Sequence, residues 1–211
     1  MAGVGVAPES RQERKERTHD AILRSALELS GRHGFAQLSL RQVARHAGVV
    51  PTAFYRHFDS MDQLGLALVE QSFATLRRMI RDAQRDPHVF DNIIDASAEI
   101  LVETVKQNKA DFAFVARERV GGSPTVRRAI RHELDLFVSE LAVVLARLPN
   151  IETWSSDDVR MVARLFVRNM VANAEEIVEI PDGRTDLEDE IKDGARRQMR
   201  LIVIGFRDWR S

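Results

Sequence analysis

Apolar residues recur along this chain at intervals of three and four. Leu66, Val69, Phe73, Leu76 and Ile80 make one such run, and Ile130, Leu134, Phe137, Leu141, Val144 and Leu148 another. That spacing is the period of a helix with one buried face. Pro and Gly fall almost entirely between the periodic stretches, and no alternating Val/Ile-rich stretch is long enough for a sheet. The pattern predicts an all-α chain of about nine helices.

Capping residues set the expected boundaries. A first helix runs from about Ser10 to His33, with Ile22, Ala26 and Leu29 on one face and Gly34 at its C-cap. Ser39-Leu40-Arg41-Gln42 is a capping box for a short helix that ends at Ala47-Gly48. A second short helix follows Pro51 and ends near His57-Phe58. Ser60-Met61-Asp62-Gln63 is another box, opening a long helix that Pro87 stops. Further helices are expected over about 90–107, 111–120, 124–148, 155–178 and 185–209. Ser123-Pro124 and Thr185-Asp186-Leu187-Glu188 are the start signals of two of them, and Pro149-Asn150 closes another. The expected organisation is a disordered tail (1–9), a three-helix head (10–59) and a helical body (60–211).

The head carries the informative feature. Two short helices are joined by Ala47-Gly48-Val49-Val50, and Gly48 supplies the positive φ that a tight turn between steeply crossed helices needs. Leu40, Val43, Ala47, Val49, Phe54 and Phe58 are expected to form a shared core with the first helix. Thr52, Ala53, Tyr55, Arg56 and His57 are left on the outer side of the second short helix, where a helix of this kind can enter a major groove. Ser39 and Arg41, with Tyr55 and His57, can donate to phosphates.

These residues carry a resemblance. The stretch from Ser39-Leu40-Arg41-Gln42-Val43-Ala44 through Ala47-Gly48-Val49 to Phe54-Tyr55-Arg56-His57-Phe58 resembles the signature of TetR-family regulators, at the position where that family places it. The resemblance implies a homodimer that binds a double-stranded, palindromic operator. It implies base contacts near Thr52, Ala53 and Arg56. Phosphate contacts are implied at Tyr55, His57, Ser39 and the basic N-terminal residues Arg14, Lys15, Arg17 and Thr18. Arg41 and Gln42 belong to the same expected interface. Many members carry a phosphate-reaching Lys where this chain has Met61.

The resemblance extends to the fatty-acid-responsive FabR/DesT branch of the family. Met61-Asp62-Gln63-Leu64-Gly65-Leu66 and Phe114-Val115-Ala116-Arg117-Glu118-Arg119 with Gly121-Gly122-Ser123 carry it. It implies a long-chain acyl-CoA or related lipid as effector, and control of lipid-metabolism genes. The apolar residues of the body are compatible with an acyl tunnel, but ordinary core packing accounts for most of them, and only a minority are expected to line a pocket. The expected lining is Phe73, Phe90, Ile94, Leu101, Phe112, Val115, Phe137, Phe166 and Met170, with Arg117 or Arg119 at the head group. An Arg-Glu ion pair within the body is the competing reading of Arg117-Glu118-Arg119. The last two helices are expected to form the dimer through Val159, Val162, Phe166, Asn169, Asn173, Ile191, Ala195, Ile202 and Phe206.

Composition narrows the classes further. There is no Cys, so disulfides and thiolate metal sites are excluded, and the cytoplasm is the expected setting. No apolar run approaches a membrane span, and Met1 to Pro8 lacks the layout of a secretory signal. Residues 1–60 hold nine Lys/Arg against six Asp/Glu, while the remainder holds 22 against 26. A mildly basic head on an acidic body suits local binding of nucleic acid. No catalytic or metal-binding constellation is found: His132-Glu133 lacks a second His, and Gly122-Ser123-Pro124 lacks the setting of a nucleophile elbow. No cofactor and no catalysis are expected. Two other readings remain open, a regulator of efflux with a drug-like ligand and a lipid carrier that no longer binds DNA.

Overall fold

The computed structural model describes residues 10–84, 93–148, 151, 153–206 and 208–209. They form nine α-helices and no strand: α1 (Arg11–His33), α2 (Leu40–His46), α3 (Pro51–Phe54), α4 (Met61–Gln84), α5 (Ile93–Gln107), α6 (Lys109–Gly121), α7 (Pro124–Leu145), α8 (Ser156–Glu179) and α9 (Thr185–Gly205). A 3₁₀ turn, Phe35–Gln37, links α1 to α2. The expected tail 1–9, Phe90, and the stop signals Pro87 and Pro149-Asn150 lie outside the described residues, as does the side chain of Ile80.

Helix starts follow the capping chemistry. Ser10 and Ser39 each accept from the backbone of the residue three positions on, and the side chains of Glu13 and Gln42 reach back to them. At α4 the box is shifted: Ser60 accepts from Gln63, but Gln63 reaches the backbone N–H of Asp59 instead. The box expected at Thr185 does not form. Thr185 is the first residue of α9, behind Arg184, and no side chain caps this start. Instead the Arg184 guanidinium holds the Asp186 carboxylate at 2.6 and 2.8 Å and draws its pKa down to about 2.

The core runs without a break across residue 60. Ile22 and Ala26 of α1, Phe35, Val43, Phe54 and Phe58 share one cluster with Leu64, Leu68, Val69 and Phe73 of α4. The cluster continues into Phe114, Val126, Ile130 and Phe137 of α6 and α7. Leu66 does not join it and is 40% exposed. Successive residues turn by about 100° along a helix, which places Leu66 on the far side from Leu64. Gly65 makes the close packing possible, because a Cβ there would lie 2.7 Å from Val126 and 2.8 Å from Phe35. Further clusters join α5 to α8 and α9 (Leu101, Val105, Ala174 and Ile177; Ala98, Ala195 and Met199) and α7 to α8 (Val138, Leu145, Val159 and Val162).

Candidate nucleic-acid interface

The outer face of α3 is built from beneath. Phe54 is fully buried, Phe58 nearly so, and their rings lie 5.7 Å apart. His19 of α1 stacks on Phe58 at 4.8 Å, which fixes α3 against the first helix. Gly48 turns the chain with φ +69°, and the Val49 N–H donates to the Ala44 carbonyl at 2.9 Å. After Pro51–Phe54 the turn continues: Arg56 N–H donates to Ala53 and His57 N–H to Phe54. With Phe54 and Phe58 held inside, Thr52, Tyr55 and Arg56 face solvent, and Ala53 and His57 are half-buried. Tyr55 is 59% exposed.

Charge around this surface is mostly positive. Arg14, Lys15 and Arg17 lie exposed on the first half of α1, so they form part of a helix rather than an extended arm. Thr18 is half-buried, and its hydroxyl donates to the Arg14 carbonyl at 2.9 Å. Arg41 is exposed on α2. The Ser39 hydroxyl and the Gln42 carboxamide bond to one another at 2.8 Å while capping α2. Burial holds the His57 imidazole below its usual pKa, helped by the charges of His19, Lys15 and Arg56. One feature escaped the sequence reading. Val50 is 63% exposed beside Thr52, an apolar group of the kind that meets thymine methyls. Met61, where the resemblance implies a Lys, packs against the head core.

The residues expected to line a ligand tunnel fall into separate packing groups. The rings of Phe73 and Phe137 meet at a tilt, 5.8 Å between centroids, with the Arg77 guanidinium over Phe137 and Val115 packed on the same core. Leu101, Phe112 and Met170 share the cluster between α5 and α8, and Ile94 and Phe166 pack with Ala98 and Ala195. The two Arg are already engaged. Arg117 donates to the Ser30 and Gly31 carbonyls of α1, and Arg119 bonds Glu175 of α8. Glu118 between them is 1% exposed, and one carboxylate oxygen accepts from the Phe35 N–H at 2.8 Å. Of the two Arg, Arg119 thus makes an ion pair within the body, and Arg117 bonds backbone carbonyls instead. An open groove of about 490 Å³ lies between α8 and α9, lined by Glu176, Ile180, Leu187 and Glu190 among others. Of the expected site residues, only Asn173 and Ile191 reach it.

The residues expected at the dimer contact are largely inside the chain. Val159, Val162, Asn173, Ala195 and Phe206 are buried, and Phe166, Ile191 and Ile202 pack partly buried against the body's clusters. Asn169 and Asn173 both donate to Gln198 of α9, so their amides tie α8 to α9 within one chain. The apolar side chains that α8 and α9 do expose are Met161, Leu165, Leu201, Val203 and Ile204.

Comparison with known proteins agrees with this geometry. Residues 22–68 match the model of "Bacterial regulatory proteins, tetR family", and residues 90–205 match "Tetracyclin repressor-like, C-terminal domain". Among solved structures, a putative TetR-family regulator from Syntrophomonas wolfei shares the fold at TM-score 0.70 and 16% identity, over 90% of this chain and 96% of that one. The fatty acid degradation regulator FadR of Bacillus halodurans superposes at TM-score 0.67 and 14% identity, over 86% and 94% of the two chains. AibR, solved with isovaleryl coenzyme A and operator DNA, does so at 0.65 and 17%, over 85% and 96%. At such identities the likeness is one of fold. The family models span most of the chain, and it belongs to the TetR family of bacterial regulatory proteins.

Proposed function

We propose that this regulator binds a roughly palindromic operator as a homodimer, reading each half-site with the outer face of α3. The observation that carries the reading is the display of Thr52, Tyr55 and Arg56 on a scaffold locked by Phe54, Phe58 and His19. Arg56 reads base edges with Thr52 and Ala53. Tyr55, His57, Arg41, Ser39 and Gln42 hold phosphates together with Arg14, Lys15, Arg17 and Thr18 of α1.

The second copy docks on the exposed face of α8 and α9. Met161, Leu165, Leu201 and Ile204 form its apolar part. Charge is segregated along the same pair of helices. Arg164, Arg168 and Arg197 lie exposed toward one end, and Glu176, Glu179 and Glu190 toward the other. A two-fold axis across the helices brings the basic end of one copy to the acidic end of the next, which favours that orientation.

The effector is an acyl-CoA or a related lipid, and the target genes serve lipid metabolism. Support comes from two structural neighbours, a fatty acid degradation regulator and a protein solved with isovaleryl coenzyme A. The body's interior is rich in Phe and aliphatic side chains around α5, α6 and α8. A ligand there must part packed helices, and it shifts the protein only by its differential affinity for the parted state. The test is operator binding titrated with acyl-CoAs of increasing chain length. The reading expects at least one to change affinity fivefold or more, a typical allosteric coupling of about 1 kcal/mol. No change with any chain length removes the lipid.

A further inference from the structure

We propose that Glu118 is a positioning residue: from α6 its enclosed carboxylate grips the turn at Phe35, and the single proton it can take up sets how firmly the head is held against the body. The grip crosses the seam between two parts of the chain 83 residues apart. One oxygen accepts from the Phe35 N–H at 2.8 Å, and the other is buried with no hydrogen-bond partner among the described residues. Backbone walls the slot. A Cβ on Gly122 would lie 2.9 Å from the unpartnered oxygen, and Gly34, at φ +77°, faces the same carboxylate and the stem of Arg117. Alongside, the rings of Phe35 and Phe114 meet edge to face at 5.8 Å. Arg117 adds a second grip on the Ser30 and Gly31 carbonyls.

A carboxylate with one hydrogen bond, shut away from water, is costly while ionised. The charges on the surrounding elements do little to offset that cost. Arg117 is the one that lowers the cost, but its guanidinium is turned to the α1 carbonyls. Arg127 of α7 donates to the Gly122 carbonyl, Asp62 of α4 accepts from Ser123, and Arg119 is paired with Glu175 of α8. Arg32 and His33 of α1 are exposed. Burial therefore outweighs the Phe35 N–H, the Arg117 charge and the Ala36 N–H, which all favour the ionised form, and pushes the Glu118 pKa up. The closed seam binds the proton more tightly than an open, hydrated seam does. Falling pH closes the seam, and the cost is complete once the pH exceeds the raised value. The carboxylate makes the contact reversible, where a neutral group of the same shape would make it firm.

The proposal rests on the operator-binding reading, and its test begins on the free protein so that the two can fail separately. Amide exchange at Phe35 is followed from pH 5 to 8 in the full chain, with the Ala195 amide of α9 as reference. In the wild type, protection at Phe35 is expected to fall relative to the reference as pH rises. The fall approaches about tenfold for each pKa unit that separates closed from open seam. Glu118→Gln keeps the shape and the acceptor, and its Phe35 protection is expected to be independent of pH. Glu118→Met, which cannot titrate either, serves as the second variant. Operator titrations over the same range should lose pH dependence to the same extent in both variants, since His57 titrates in all three proteins and cancels. An unchanged pH slope in the variants, in exchange or in operator binding, overturns the proposal. So does a uniform loss of protection in Glu118→Gln, which marks a merely structural bond.

Discussion

The guanidinium of Arg117 donates to the Ser30 carbonyl at 2.9 Å and to that of Gly31 at 3.1 Å, closing the C-terminal turn of α1 from a helix 87 residues further on. The end of the first head helix is thus satisfied by the body. Arg117→Met keeps the stem and removes the donors. It should lower stability by about 1 kcal/mol in chemical denaturation, the ordinary worth of such bonds at a partly hydrated site. Unchanged stability would mean that water replaces the guanidinium without loss.

Gly65 gives the seam its closeness. With Val126 at 2.7 Å and Phe35 at 2.8 Å from the position of a Cβ, Gly65→Ala must push α4 away from α7 and from the 3₁₀ turn. The expected cost is about 1–3 kcal/mol in urea unfolding, the range for overpacking a filled core. Helix propensity alone favours Ala by about 1 kcal/mol, so a stabilised variant would show that the two helices part freely.

Tyr55 and Arg56 stand side by side and should fail differently. Tyr55→Phe removes the hydroxyl proposed to meet a phosphate and should weaken every duplex alike while the salt slope stays near that of the wild type. Arg56→Ala should cost about 1–3 kcal/mol on the preferred site and flatten discrimination at one base pair. Anisotropy titrations on matched and mismatched duplexes distinguish the two. Equal loss on all duplexes with Arg56→Ala assigns it to phosphate.

Leu165→Glu and Leu201→Glu place carboxylates at the centre of the proposed dimer face. Both chains should fold and sediment as monomers, the dimer weakened about a hundredfold or more by an unpaired buried charge. Val162→Glu, inside the chain, should unfold instead. A Leu165→Glu protein that remains dimeric places the contact elsewhere.

Periodicity made the nine helices of the described residues legible, and caps marked several of their starts: Ser10, Ser39, Ser123 and Ser155 all bond the backbone as their position in the sequence implies, whereas Val50, Asn108 and Arg184 supply no side-chain cap. Phe54 and Phe58, four apart in a short segment, were enough to place Thr52, Tyr55 and Arg56 on the outer face of α3, while Ala53 and His57, also expected there, are half-buried. The residues expected at the dimer contact turned out largely buried within the chain, for a physical reason. Burial within a chain and burial between chains select the same residue types, so Val159 and Val162 could not be told from Met161 and Leu165 by pattern. Glu118 was read as one member of a charged trio. Its signal was its place four residues after Phe114 and four before Gly122, on the buried side of α6, where a carboxylate needs a reason to be. The 3₁₀ turn it grips is three residues long, too short to show a period.

Selection from a random duplex library with the purified protein asks the central question without assuming a target. The account predicts enrichment of one inverted repeat whose half-sites lie about one turn of B-form DNA apart or a multiple of it, lost with Arg56→Ala. Recovery of no sequence above the starting pool, or of one that Arg56→Ala recovers unchanged, would contradict it.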